Sequence, residues 1–277
     1  MRSGTVILAT LAAFACNRAS AGVLQDGAPL DGTSLAQNYK LEVARCLKVP
    51  AAEREAWALL LSTLLADKDI GPQYVILVDR NPFVQAVAIY WMGPDRTFHF
   101  IGASPVSTGK TGRFDHFLTP TGIFEHTTAN LDFRAEGTRN ENGIMGYGRK
   151  GMRVYDFGWQ QAERGWGGGG EATMRLQMHA TDPGLLEVRL GTVQSKGCIR
   201  IPAKLNTFID RYGILDADYE QAMAAGQILG VLSKTRKPTP WSGRYLVIVD
   251  TGRTSRPRGH HSHESVDEVS PQVPHHR

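Results

Sequence analysis

The sequence is poor in the features that mark several protein classes by composition alone. Its 277 residues include only three cysteines, too few for a scaffold held together by disulfides. The net charge of +4 includes Arg2 and Arg18. So small an excess, without an RNA- or DNA-binding motif, indicates no nucleic-acid partner. Hydrophobic residues make up 42% of the chain, so we expect a globular protein with a substantial core.

A phosphate-binding loop is also missing. Gly167 to Gly170 form a run of four glycines, but the lysine and the spacing of such a loop are absent. We predict that residues 157–171, which also contain Trp159 and Trp166, form a flexible connection. A mobile substrate lid is the alternative for this segment.

The first 21 residues have the pattern of an export signal. Arg2 provides a positive start, residues 6–15 form an apolar run, and Ala19-Ser20-Ala21 offers small residues for cleavage. The run is too short to span a bilayer, which takes about 20 residues. A buried N-terminal helix is the alternative. Cys16 also allows a lipid anchor, the one route by which we expect membrane attachment. We predict export to the periplasm or cell envelope.

The rest of the chain divides by composition into three segments. Residues 22–72 are predicted to be helical, with a break at Pro50. Residues 73–250 predict a β-rich domain, because short β-branched runs alternate with turn signals. Residues 251–277 predict a disordered tail rich in histidine and arginine, and no metal site is expected there. We expect a mainly β fold with peripheral helices, with strands over 74–78, 84–91, 98–106, 228–232 and 245–249 and helices over 206–212 and 218–225.

The segment from Met178 to Pro202 contains the residues that indicate chemistry. His179 ends an alternating segment typical of a strand, and Cys198 follows nineteen residues later in a turn. A cysteine becomes a nucleophile as a thiolate, and a nearby imidazole can supply the base. Gly197 permits a tight turn whose amides face an oxyanion, with Ser195 beside it. We predict Cys198 as nucleophile and His179 as base.

Two cations flank this cysteine. Lys196 and Arg200 would lower the pKa of the thiol if they pointed towards it. For Arg200 we favour binding of a substrate carboxylate, which a guanidinium holds with two hydrogen bonds. The alternative for Cys198 is a structural thiol or a disulfide with Cys46. For His179 it is a buried structural histidine, but its spacing from Cys198 favours catalysis.

These motifs resemble those of the YkuD-type L,D-transpeptidases. That family has a histidine, about fifteen residues, and then Ser/Thr-His-Gly-Cys, often followed by Ile-Arg. Here fifteen residues separate His179 from Ser195. Two upstream segments, 106–110 and 119–124, resemble the family's Val-Ser-Thr-Gly and Thr-Pro-x-Gly-x-Phe motifs. The resemblance covers about residues 73–232, and the matching positions after Ser195 are Gly197, Cys198, Ile199 and Arg200.

Two positions depart from the family pattern. Lys196 stands where the family usually has a second histidine, and Ala180 stands where a glycine or serine often follows the base. The third triad element in this family can be a backbone carbonyl, so Ala180 is compatible with an oriented His179. Lys196 keeps open a non-catalytic murein-binding module. A secreted cysteine peptidase is less compatible, because papain-like peptidases place the cysteine before the histidine.

The resemblance implies a YkuD-like β-sandwich that acts on peptidoglycan stem peptides. Cys198 would attack the bond between the third residue, commonly diaminopimelate, and D-Ala in a tetrapeptide stem. The resulting thioester would pass to an amine of a second stem and give a 3→3 cross-link. Water as acceptor would make the same site an L,D-carboxypeptidase. This chemistry implies no metal and no organic cofactor.

Overall fold

The computed structural model describes residues 32–256. The predicted signal with Cys16 and the tail from residue 257 lie outside the described residues. Two helices come first, α1 (Gly32–Glu42) and α2 (Ala51–Leu64), separated at Pro50 as predicted. Within the described part of the chain, the helices are too short or too polar to cross a membrane.

Two sheets form the body of the protein. The five-stranded sheet has the order β3-β2-β1-β9-β4, and the four-stranded sheet has the order β5-β6-β7-β8. The first sheet contains β1 (Gln73–Asp79), β2 (Ala86–Met92), β3 (Phe98–Pro105), β4 (Gly122–Glu125) and β9 (Tyr245–Val249). The second contains β5 (Phe133–Arg134), β6 (Arg153–Glu163), β7 (Glu171–Ala180) and β8 (Ile199–Ile201), and α3 (Ala203–Tyr212) and α4 (Ala217–Ala224) follow it.

The central strand β1 is apolar on both faces, which explains its position. Ile76 on one face joins a core that also contains Tyr155 and Met178 of the second sheet. Leu77 on the other face packs in a second cluster with Trp57 of α2. Alternate strand residues point to opposite faces, so β1 is buried between the second sheet and a helix. The predicted mainly β fold with peripheral helices is confirmed.

Two predicted elements are wrong. Residues 157–163 belong to β6, so only residues 164–170 remain as the connection between β6 and β7. This strand was not predicted because a β-bulge between Asp156 and Trp159 interrupts the alternation of β6. Residues 228–232 form no strand, and Ile228 is 97% exposed. Its apolar run lies among turns near Gly226 and Gly230, where no neighbouring strand pairs with it.

A fully buried ionic cluster lies beneath the second sheet. The Arg153 side chain is 0% exposed and donates from Nε to Asp132 and from Nη1 to Asp216, at 2.6 and 2.9 Å. Its guanidinium lies 4.9 Å from the ring centroids of Tyr155 and Tyr219. The cluster joins β6 to the segments around α4, because the buried Arg153 cation is neutralised by carboxylates from outside β6.

Candidate active site

The predicted catalytic residues lie on one face of the four-stranded sheet. In β7, Leu176 and Met178 point into the core, so Gln177 and His179 point to the opposite face. Strand β8 runs parallel to β7 and pairs Arg200 with His179. Because Cys198 is two positions before Arg200, it lies on the same face, beside Gln177. The structure thus places both predicted catalytic residues on the same sheet face as Arg200.

The Cys198 thiol is partly buried against β7. Its sulfur lies 3.9 Å from the carbonyl oxygen of Arg175. Burial raises the pKa of Cys198 above its usual 9.0, while a backbone hydrogen bond with Gln177 and the charge of Arg200 act in the opposite direction. Cys46 and Cys198 are both free, so the disulfide alternative does not hold in this structure. The resting sulfur is a protonated thiol.

The His179 imidazole is held in the tautomer that a general base requires. Its side chain is buried, and Nδ1 lies 2.7 Å from the carbonyl oxygen of Ala180. Since a carbonyl can only accept, Nδ1 carries the proton and Nε2 keeps its lone pair. Burial lowers the pKa of His179 from 6.5 to about 4, against the effect of the Ala180 carbonyl and together with the charge of Arg200. The imidazole is therefore neutral at ordinary pH.

Tyr147 covers His179, although no sequence motif indicated it. The two ring centroids are 4.7 Å apart in an edge-to-face arrangement. The Tyr147 hydroxyl donates to Gln177 at 3.1 Å, and the Gln177 amide donates to Asp156 at 2.8 Å. The loop that contains Tyr147 is also fixed to the segment after β7, because the Met145 N–H donates to the Asp182 carboxylate at 3.0 Å. The Tyr147 ring thus covers an imidazole that has little contact with solvent.

The turn before Cys198 is fixed by internal hydrogen bonds. Ser195 is buried, accepts from the Gly197 N–H at 3.0 Å and donates to the Cys198 carbonyl at 2.6 Å. The Gly197 amide is thus occupied rather than directed at an oxyanion as expected, and Ser195 shapes the turn rather than facing substrate. Gly197 has φ +132°, and a Cβ there would lie 2.7 Å from the sulfur of Met174. Only glycine fits this position.

The two upstream motif segments pack against this turn. Ser107 forms paired backbone hydrogen bonds with Arg200, at 3.0 and 2.9 Å. The Thr119 hydroxyl accepts from the Gly109 amide at 2.9 Å and donates to the Gly197 carbonyl at 2.7 Å. All the segments that carry the family resemblance therefore meet around Cys198.

The two cations near Cys198 have different surroundings. Lys196 forms an exposed ion pair with Asp115 at 3.0 Å, so its charge is used at the surface. Arg200 is half-buried, its Nε has no hydrogen-bond partner, and its Nη1 makes only a long bond of 3.4 Å to the Gln194 carbonyl. Among residues 32–256 no carboxylate pairs with Arg200. A half-buried guanidinium whose Nε is unpaired indicates a candidate site for an anion.

The other histidines of the described chain lie away from this site. His126 is buried between the Leu215 carbonyl and Asp132, whereas His99 and His116 are on the surface, as expected for structural or surface residues. In the part of the chain that the structure describes, no three histidine, cysteine or acidic side chains are grouped to hold a metal ion.

The buried neutral His179 makes a prediction about stability and pH. The unfolded chain takes up this proton near pH 6.5 and the folded chain only near pH 4, so stability is lost as the pH falls through this range. The loss from this group between pH 7.5 and pH 4.5 is expected to be about 2–3 kcal/mol. Urea unfolding at both values should show a smaller acid loss for His179→Gln than for wild type. An equal loss would contradict the burial argument.

Comparisons with known proteins do not identify a family for this chain. No family model matches it, and no curated protein does. Among solved structures, it is matched to a fused Zn-dependent amidase/peptidase/peptidoglycan-binding domain-containing protein from Clostridium acetobutylicum, with 14% identity and a TM-score of 0.29. The match covers 75% of this chain and 66% of that one, so the chain spans slightly less than two thirds of that relative. At this TM-score the likeness carries no argument.

Proposed function

We propose that this protein is an exported cysteine acyltransferase of the YkuD type, an L,D-transpeptidase that acts on peptidoglycan stem peptides. The observation that carries the proposal is that Cys198 lies two positions before Arg200, the residue paired with His179 in the sheet, and that Nδ1 of His179 is fixed by the Ala180 carbonyl. That carbonyl takes the place of the third member of a catalytic triad. The motif segments packed around Cys198 add support.

The first step forms a thioester on Cys198. Nε2 of His179 takes the thiol proton as the sulfur attacks the carbonyl carbon before D-Ala. The carbon–nitrogen bond then breaks, His179 returns the proton to the leaving amine, and D-Ala departs. Because burial lowers the pKa of His179 to about 4, the imidazolium readily protonates the leaving amine, whereas the neutral imidazole is a weak base towards the Cys198 thiol, whose pKa burial raises. We assign the oxyanion to the Cys198 N–H, since the Gly197 N–H is occupied.

The second step transfers the acyl group to an amine. The acceptor amine gives a proton to His179 and attacks the thioester carbon, and the thiolate leaves and recovers its proton. A second stem as acceptor gives a 3→3 cross-link. Water as acceptor would instead make the enzyme an L,D-carboxypeptidase.

Arg200 is the group that we assign to the terminal carboxylate of D-Ala. It lies opposite His179 in the sheet register, which is where the leaving amine must be protonated. We expect Arg200→Gln to raise KM by about tenfold to a hundredfold, the value of one charge-assisted pair, with a smaller effect on kcat. Steady-state rates on a tetrapeptide stem and on its C-terminal amide measure this. The variant should have the same KM for the two stems. A variant whose KM is still lower for the free carboxylate would contradict the assignment.

The direct test is mass spectrometry of the mature protein incubated with a disaccharide-tetrapeptide. Release of D-Ala with a cross-linked dimer would support the transpeptidase, and release with a tripeptide would identify the carboxypeptidase. Binding of the stem with no thioester and no D-Ala would favour the non-catalytic murein-binding module.

A further inference from the structure

Trp159 lies within β6 on the face of the sheet that carries Cys198, and 64% of its surface is exposed. In a regular strand, a residue three positions after Asp156 would point to the opposite face. Here Asp156 pairs with Gln177 but Trp159 pairs with Arg175, so β6 advances three residues while β7 advances two. This β-bulge turns the indole towards the catalytic face, a common use of bulges beside active sites.

Gly158 fixes the bulge. Its φ is +76°, and its N–H donates to the Asp156 carboxylate at 2.8 Å. A Cβ at this position would lie 2.8 Å from the side chain of Asn130. Both the backbone conformation and the close approach therefore require glycine. The outward direction of Trp159 is built into the fold.

Arg175 is held in a defined orientation over this indole. Its guanidinium lies 5.6 Å from the Trp159 ring centroid, and its Nε donates to Asp156 at 2.8 Å. The side chain is 39% exposed, and the bond to Asp156 uses Nε. The terminal nitrogens, which form the edge that binds carboxylates, are left for a ligand.

The position of this pair relative to Cys198 indicates which part of a substrate it would meet. The Cys198 sulfur lies 3.9 Å from the carbonyl oxygen of Arg175. His179 and Arg200 lie farther along the strands in the other direction. The leaving amine is protonated by His179, so it departs on that side. The acyl group that stays on the sulfur must then extend towards Arg175 and Trp159.

We propose that Arg175 and Trp159 form an acyl-group subsite that binds a carboxylate on the retained part of the stem. This inference rests on the proposed function. The subsite suits a stem peptide whose third residue has a side chain that ends in a carboxylate. The alkyl part of that side chain packs on the Trp159 indole, and its carboxylate binds the Arg175 guanidinium. A third residue with an uncharged amide at that end lacks the ionic contact.

The test measures the rate of acylation of Cys198 by mass spectrometry with two matched stems. One stem carries diaminopimelate with a free side-chain carboxylate, and the other carries the same residue amidated there. We expect wild type to acylate about tenfold faster with the free carboxylate. Arg175→Gln should lose this preference by slowing only the free stem, and Arg175→Lys should keep part of it. Arg211→Gln is the matched control, because Arg211 also pairs with a carboxylate and lies over a tyrosine ring.

Trp159 provides a second variant that leaves the Asp156 ion pair in place. Trp159→Ala should lower the preference for the free carboxylate, whereas Trp159→Phe should preserve most of it. Equal acylation of both stems by wild type would overturn the subsite alone, and so would an equal slowing of both stems by Arg175→Gln. A wild-type protein that neither stem acylates would overturn the proposed function and the subsite with it.

Discussion

Replacing Cys198 by alanine is expected to abolish thioester formation and to lower the release of D-Ala by on the order of 10⁴-fold. The reason is chemical: without the sulfur there is no nucleophile, and His179 has no proton to accept. The measurement is the intact mass of the protein after incubation with a tetrapeptide stem, together with the amount of free D-Ala. Wild type should gain the mass of one acyl group and the variant none.

Cys46 offers the matched control for this experiment. It is the second cysteine of the described chain, and it is free and exposed. Cys46→Ala should form the acyl-enzyme and release D-Ala at the wild-type rate. Binding of the stem to Cys198→Ala, measured by calorimetry, should persist, because the substitution removes one small side chain. D-Ala release by Cys198→Ala at the wild-type rate would refute the nucleophile.

Replacing Arg153 by methionine is expected to destabilise the protein by about 3–5 kcal/mol, the usual cost of removing one partner from a buried ion pair. The substitution removes the fully buried cation that pairs with the Asp132 and Asp216 carboxylates, which keep His126 and, at 3.9 Å, Arg236 as partners. Methionine keeps much of the side-chain volume, so the loss reports on charge rather than on a cavity. Urea unfolding at neutral pH measures it.

Arg211 serves as the control for Arg153. It pairs with Glu42 at 3.4 Å, but 43% of its side chain is exposed, so water can replace part of the interaction. Arg211→Met is expected to cost less than about 1 kcal/mol. If Arg153→Met does not fold, the double variant Arg153→Met with Asp216→Asn should recover folding, because it removes one uncompensated charge. Equal losses for the two single variants would contradict the account.

Much of the secondary structure could be predicted from local patterns. Pro50 marked the break between α1 and α2, and the apolar alternation before His179 indicated a strand. The failure at β6 has a physical cause: its bulge breaks the two-residue period at Gly158. An alternating pattern is recognised from consecutive residues. One inserted residue moves the side chains beyond it to the opposite face, so the alternation no longer continues.

The candidate site was predictable only where its residues are close in sequence. His179, Cys198 and Arg200 were identified from their spacing, and they meet across β7 and β8. Tyr147 and the Trp159–Arg175 pair were not, because they reach the site through a loop and a bulge. Each depends on a contact between two segments that are distant in sequence, and a local sequence pattern gives no information about such contacts.

The sequence by itself therefore determined the chemical groups and their order: an imidazole at the end of a strand, followed by a thiol and a guanidinium in a turn. The tertiary structure decided the protonation, solvent access and ion pairing of these groups. Tyr147 and the surrounding chain bury His179 and keep it neutral, Asp115 holds Lys196 at the surface, and no carboxylate of residues 32–256 pairs with Arg200. The reason is that pKa, access to water and ion pairing depend on which side chains exclude solvent, and solvent exclusion is a property of the packed fold.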